Sequence, residues 1–329
     1  MCTAITLKSN DNHHFLARNY DFTPGSKLMM ALAPRNFPYM NKLTKKKIPS
    51  KYAVLGMSVS DEDYFIFADG VNEKGLACSI LNLPGYTSWN HQAIEGKENI
   101  LPYDVTFWMV ANFATVKELK AGLKNLNIVA PLENPGALAT QVHWIVSDST
   151  GECIVIEKTK DSFRAYNNKV GVLTNSPTFD WHLINLNRYI NISDKQSGEV
   201  KWGSQLLTPF SQGFGGLGLP GDYSSPSRFV KASFLRNHVN LDFGSESGIL
   251  ECFHILESVA MLRGIVQDHS NDCFITLYTS CMCLDTKVYY YSTYNSPQIY
   301  AIDMKKENLD GNELKFYPYP NQLVIHYQN

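Results

Sequence analysis

No run of apolar residues in this 329-residue chain approaches the ~20 needed to cross a bilayer, and its first residues carry no basic segment followed by a hydrophobic stretch of the secretion-signal kind. These two absences lead us to expect a cytoplasmic protein with no membrane partner. Neither sign of charge prevails: 29 basic residues face 31 acidic ones, for a formal net charge of -2, and no basic stripe stands out that would follow a phosphate backbone. That argues against nucleic acid as a partner. The one basic run, Lys45-Lys46-Lys47, lies between Pro38 and Pro49 and reads as a solvated loop. The cysteines number seven, at irregular spacings, which fits reduced thiols better than a disulfide framework. Cys281-Met282-Cys283 has no second cysteine or histidine pair at metal-site spacing, so it reads as two side chains on one face of a strand. The sequon Asn191-Ile192-Ser193 carries no meaning without secretion. There is no internal repeat and no linker rich in proline, glycine or serine, so residues 1–329 are expected to form a single domain. What is plentiful is core material, at 44% hydrophobic and 12% aromatic residues, which excludes disorder.

The first residues alternate as a strand, Thr3-Ala4-Ile5-Thr6-Leu7, meet the polar cluster Ser9-Asn10-Asp11-Asn12, and resume with His14-Phe15-Leu16-Ala17-Arg18. This is a hairpin with its turn at 9–12. Further strands are expected at Tyr52 to Met57, Tyr64 to Ala68, Leu76 to Ile80, Val142 to Val146, Cys153 to Glu157, Val170 to Leu173, Phe274 to Tyr278, Val288 to Tyr294 and Ile299 to Ile302. Helices are expected near 102–113, from Thr115 with its capping-box form, and over 179–190, 225–238 and 248–263. Strands cluster and helices pair, without the alternation of a parallel βαβ fold, which favours antiparallel sheets packed with helical layers. The least structured stretch is 193–224. Its Gly213-Phe214-Gly215-Gly216-Leu217-Gly218 satisfies G-x-G-x-x-G, but Pro220-Gly221 breaks any helix opening there, and a dinucleotide site is rejected.

The chemistry centres on Cys2. Methionine is readily trimmed from chains whose next residue is small, which would leave an α-amine and a thiol on one residue. An amine with an ordinary pKa near ~8 can take the proton of a thiol near ~8.5, as the N-terminal threonine nucleophiles do. Alone the position means little, because most cysteines at position 2 of cytosolic proteins are inert. Attack on a carbonyl also needs a group to orient the amine, donors for the oxyanion and a positive group beside the thiolate. Asp21 suits the first need and Arg18 the last; without Cys2 they would read as an ordinary ion pair at a strand end. Asn82 and Asn175 each sit where a strand meets a proline turn and suit oxyanion donation, although on local grounds alone the turn-former reading wins.

Met1-Cys2-Thr3-Ala4-Ile5-Thr6, Arg18-Asn19-Tyr20-Asp21, Asn72-Glu73-Lys74-Gly75-Leu76, the segment from Gly171 through Asn175-Ser176-Pro177 to Phe179, Gly218-Leu219-Pro220-Gly221-Asp222 with Ser227-Arg228-Phe229, and Tyr278-Thr279-Ser280 through Tyr289-Tyr290-Tyr291 together resemble the choloylglycine hydrolases. These are the bile salt hydrolases and penicillin V acylases of the N-terminal nucleophile superfamily. The resemblance covers essentially the whole chain, in the family's motif order. It implies an α+β fold, an αββα sandwich of two antiparallel sheets between helical layers, assembled as a homotetramer. It also implies Cys2 as nucleophile after loss of Met1, Arg18 beside the thiol, Asp21 on the α-amine, Asn82 and Asn175 as oxyanion donors, and Arg228 completing the charged cluster. No cofactor or metal is called for.

The implied reaction is hydrolysis of a glycine- or taurine-conjugated bile acid through a thioester. Penicillin acylases of the family tend to have tyrosine at the position of Asn82, so asparagine favours the bile salt reading. Three departures bear on the substrate. Ser79-Ile80-Leu81-Asn82 replaces the family's Ala-Gly-Leu-Asn, and the bulkier Ile80 is expected to narrow the pocket. Tyr20 stands at a variable position, and the segment from Ala130 to Ala137 differs from the usual pocket loop. Tyr20, Ile80 and Asn82 are therefore the expected substrate contacts. The alternatives are a penicillin V or other linear-amide acylase, and a silent binding homologue that retains Met1.

Overall fold

A computed structural model describes residues 1–25, 27–61, 64–130, 140–241 and 244–329. The chain opens with β1 (Cys2–Lys8), β2 (His14–Phe22) and β3 (Lys27–Ala33), then the small hairpin β4 (Pro38–Asn41) and β5 (Lys46–Pro49). Next come β6 (Val54–Asp61), β7 (Tyr64–Phe67), β8 (Asp69–Asn72), β9 (Ala77–Asn82) and β10 (Glu98–Ile100), followed by α1 (Val105–Asn112), α2 (Val116–Gly122) and β11 (Leu126–Ile128). After β12 (Val142–Ser147), β13 (Cys153–Lys158), β14 (Phe163–Asn167) and β15 (Val172–Leu173) stand α3 (Phe179–Leu186) and a second small hairpin, β16 (Val200–Trp202) with β17 (Gln205–Leu207). The chain closes with α4 (Ser225–His238), α5 (Ser245–Glu257), β18 (Val266–Gln267), β19 (Cys273–Cys283), β20 (Val288–Thr293), β21 (Ser296–Asp303) and β22 (Lys315–Tyr317).

Among the described residues two large sheets form, both antiparallel throughout. One runs β15-β1-β2-β19-β20-β21 with β18 beside β19. The other runs β14-β13-β12-β9-β8-β6-β3-β22 with β7 beside β6. Helices α4 and α5 cover the first sheet, α1 covers the second, and β9 meets β1 and β2 where the sheets face each other. This is the helix–sheet–sheet–helix layering that the resemblance implied. The period of two in each strand divides the core accordingly. In β9, Ala77 and Leu81 point toward the first sheet, while Cys78 and Ile80 join Trp144, Trp108 and Val105 on the helix side.

Most expected elements form, with instructive differences at their ends. The 9–12 turn closes through Ser9 N–H to His13 O at 2.9 Å, with Asn12 in the left-handed region at φ 65°. Thr115 caps α2 by accepting from Glu118 N–H at 3.1 Å, but the Glu118 carboxylate reaches back to Ala114 rather than to Thr115. Helix α5 stops at Glu257 instead of 263, because the chain turns to let Met261 exchange hydrogen bonds with Thr276 in β19. Lys46 and Lys47 lie in an exposed hairpin strand rather than a loop. The 213–218 glycine run makes one 3₁₀ turn at Phe214–Gly216, not a helix.

Candidate active site

Strand register builds the site. In the β1–β2 hairpin Cys2 lies opposite Tyr20 and Ala4 opposite Arg18, so all four side chains share one face of the sheet. Thr3, Asn19 and Asp21 take the other face. Arg18 and Asp21, three residues apart, are thereby sent to opposite sides and do not form the local ion pair that their spacing allowed.

On the first face, Arg18 Nη2 donates to Cys2 Sγ at 2.7 Å and Nη1 donates to Ala68 O at 3.0 Å. Both Arg18 and Cys2 are buried. Tyr20 stacks on Tyr278, with ring centroids 5.2 Å apart, and Arg18 Cζ lies 4.7 Å from the Tyr20 centroid. A buried cation requires a counter-charge, and Asp69 supplies it, with Oδ2 at 3.7 Å from Arg18 Nη1. The Asp69 carboxylate accepts from Tyr278 Oη at 2.7 Å, Tyr289 Oη at 2.5 Å, Ser280 Oγ at 3.3 Å and Met57 N–H at 3.3 Å. Burial pushes its pKa up, and Arg18 with the tyrosine donors pulls it back. The backbones of β6 and β8 approach so closely here that a Cβ on Gly56 would lie 2.1 Å from Asp69 O.

On the second face, Asp21 Oδ1 accepts from Thr276 Oγ1 at 2.6 Å. Its Oδ2 is buried without a hydrogen-bond partner among the described residues and lies 4.0 Å from Arg228 Nη1. Burial raises the Asp21 pKa, opposed first by Arg228 and then by the terminal amine. Arg228 enters one turn into α4. Asp222 fixes the start of that helix by accepting from Ser224 N–H at 2.9 Å and Ser227 Oγ at 2.6 Å, with Pro226 in the first turn. From there Arg228 Nη1 donates to Cys2 O and to Thr3 Oγ1, both at 2.6 Å, and Nη2 to Asn175 Oδ1 at 2.7 Å.

Asn175 completes the wall beside the nucleophile. Its Oδ1 also accepts from Cys2 N–H at 2.9 Å, and its Nδ2 donates to Asn82 O, at the end of β9, at 2.8 Å. Met1 continues the β1–β2 ladder, donating from its terminal nitrogen to Asp21 O at 2.6 Å and accepting from Asp21 N–H at 3.0 Å. Burial lowers the pKa of that amine, while Cys2 and Asp21 oppose the shift.

The structure therefore brings Cys2, Arg18, Asp21, Asn82, Asn175, Arg228 and Tyr20 together. Ile80 N–H donates to Ala68 O, the carbonyl that also receives Arg18, and its side chain lies in the core cluster on the helix side of the second sheet, against which Tyr20 also packs. Pro131 to Ala137 of the expected pocket loop lie outside the described residues. Sequence reasoning assigned no role to Asp69, Thr276, Tyr278 or Tyr289. The one local signal was an aspartate inside the apolar stretch Phe65 to Val71.

The buried Cys2 thiol, held by a guanidinium, with its main-chain nitrogen held by a separate amide, sits in the αββα sandwich of the N-terminal nucleophile hydrolases. The chain belongs to the choloylglycine hydrolase family of linear amide C-N hydrolases, whose model matches residues 2–317. It is 47% identical to the bile salt hydrolase/transferase of Clostridium perfringens (strain 13 / Type A), over 100% of both chains. It is 37% identical to the protein of the same name from Lactiplantibacillus plantarum, over 97% of each. The crystal structure of the R18L variant of the conjugated bile acid hydrolase from Clostridium perfringens superimposes with a TM-score of 0.92 at 46% identity, over 100% of both chains. Penicillin V acylase from Agrobacterium tumefaciens shares the fold, with a TM-score of 0.76 at 23% identity over 96% of this chain and 90% of that one.

Proposed function

We infer that the protein hydrolyses the amide bond of glycine- or taurine-conjugated bile acids, with Cys2 as nucleophile after removal of Met1. The observation that carries this reading is the double hold on Cys2: Arg18 at 2.7 Å from Sγ and Asn175 Oδ1 at 2.9 Å from N. Family membership and the full-length likeness to bile salt hydrolases supply the substrate class. Breaking the Met1–Cys2 bond frees the Cys2 nitrogen as an amine. Asp21 Oδ2, which accepts no hydrogen bond among the described residues, then stands ready as acceptor for the ammonium form. Burial depresses the terminal amine of Met1 at this place, and in this reading the freed Cys2 nitrogen serves as the base.

In this reading the amine takes the thiol proton and Sγ attacks the carbonyl. Asn82 and Asn175 stabilise the oxyanion, and Arg18 and Arg228 keep the surrounding charge positive. As the tetrahedral intermediate collapses, the C–N bond breaks and glycine or taurine leaves with the proton held by the Cys2 ammonium. Water, deprotonated by the same amine, cleaves the thioester and releases the bile acid. The partly exposed ring of Tyr20, backed by the buried ring of Tyr278 on which it stacks, offers the acyl group an apolar wall beside the thiol.

The chain is read as a single domain acting in the cytoplasm, where its seven free cysteines stay reduced, and as a homotetramer. Large apolar side chains exposed on and beside the β16–β17 hairpin, Trp202 at 74% and Phe210 at 95% among them, support a self-assembly surface. Amine release from glycocholate, taurocholate and penicillin V, measured side by side, tests the substrate class. Release from the bile salts supports the reading, and release from penicillin V alone moves the protein to the acylases.

A further inference from the structure

Thr174 and Asn175 leave the sheet where β15 ends, and both are buried, so their two carbonyls lose the ladder without gaining water. Two histidines from different elements replace it. His143 Nε2 in β12 lies 3.0 Å from Thr174 O, and His182 Nε2 in α3 lies 2.8 Å from Asn175 O. A carbonyl only accepts, so Nε2 of each ring carries a proton. His182 lies flat on Phe229, centroids 4.6 Å apart and planes at 12°, and burial pushes its pKa down to about 4, leaving it neutral in the working range. One carboxylate ties both arms together. Glu157 Oε1 sits 2.9 Å from His143 Nδ1 and accepts from Phe179 N–H, the first residue of α3, at 3.0 Å. Ser225 Oγ accepts from Asn175 N–H at 2.9 Å, which closes the remaining backbone position.

We propose that His143, His182 and Glu157 form a positioning unit that fixes the 174–175 peptide and thereby aims the Asn175 side-chain amide at Cys2. None of the three touches the thiol. His143 holds the Thr174 carbonyl and His182 the Asn175 carbonyl, while Glu157 holds His143 and the start of α3; the residue so placed is the one whose Oδ1 lies 2.9 Å from Cys2 N and whose Nδ2 reaches Asn82 O. The pattern is more than ordinary core satisfaction, because consecutive carbonyls are each held by a separate buried ring and both rings trace to one carboxylate. The proposal rests on the reading that Asn175 serves the reaction.

A double-mutant cycle with His182→Phe and Asn175→Ala, assayed on glycocholate, tests it. Phenylalanine keeps the ring and its stacking on Phe229 but removes the donor. His182→Phe alone is expected to lower kcat about tenfold with KM within about twofold, less than the about 10²- to 10³-fold loss when an oxyanion donor is removed outright. In the Asn175→Ala background the same change is expected to cost nothing, since its route of action is gone. His182→Gln, which keeps a donor near the Nε2 position, is expected to restore most of the rate. A further tenfold loss in the Asn175→Ala background, or an unchanged kcat for His182→Phe when Asn175→Ala is impaired, overturns the proposal. Full activity of Asn175→Ala overturns the underlying reading instead. If His182→Phe does not fold, His143→Phe replaces it in the cycle with the same expectation.

Discussion

Asp69 Oδ2 lies 3.7 Å from Arg18 Nη1, both side chains are fully buried, and Arg18 in turn donates to the Cys2 thiol. The carboxylate comes from the second sheet and the guanidinium from the first, so the ion pair fastens the two sheets at the nucleophile. Removing one member of a buried pair leaves an uncompensated charge, at a cost of about 3–5 kcal/mol. Asp69→Asn is therefore expected to lose about that much in urea unfolding, while Tyr289→Phe, which deletes one donor to the carboxylate, loses about 1.5–3 kcal/mol. An unchanged unfolding midpoint for Asp69→Asn contradicts this account of Arg18.

Two buried groups give stability opposite slopes in the same pH window. Burial pushes Asp104 up from 3.8 to about 6, opposed by Tyr39 and Lys42, so its contribution is complete below pH 3.8 and is lost as pH rises through 6. Burial pushes His182 down from 6.5 to about 4, so its contribution is complete above pH 6.5 and is lost as pH falls through 4. Each amounts to about 3 kcal/mol across its range. Asp104→Asn should thus be more stable than the parent at pH 7, with a steeper loss toward pH 4, and His182→Phe should lose less than the parent over the acid range. Unfolding free energies that differ from the parent by a constant amount from pH 4 to 7 contradict the assignment.

The β16–β17 hairpin gives a third expectation. Trp202 and Phe210 project into solvent, and a charge at either should weaken self-association without reaching the site. Trp202→Glu combined with Phe210→Glu is expected to lower the mass seen in light scattering below that of the parent protein. A mass above that of one chain that both changes leave unaltered places the interface elsewhere.

The β1–β2 hairpin was legible because its alternation and the Ser9 to Asn12 cluster are local signals, and the Cys2–Arg18 proximity follows from its register. Strands β3 and β8 were not. Lys27–Ala33 suits a helix as well as a strand, and Asp69–Asn72 is buried on both faces in mid-sheet and lacks alternation. The Asp69 partners were hidden for a different reason. Tyr278 and Tyr289 lie more than two hundred residues further along, and nothing in either segment marks which carboxylate they meet.

Glycine release from glycocholate by the parent protein and by Cys2→Ala, with the intact mass of both samples, tests the central claim most directly. The account predicts a parent protein that lacks Met1 and releases glycine, and a Cys2→Ala protein that folds and releases none. Glycine release that survives in Cys2→Ala, or that proceeds in a parent sample whose mass still includes Met1, contradicts it.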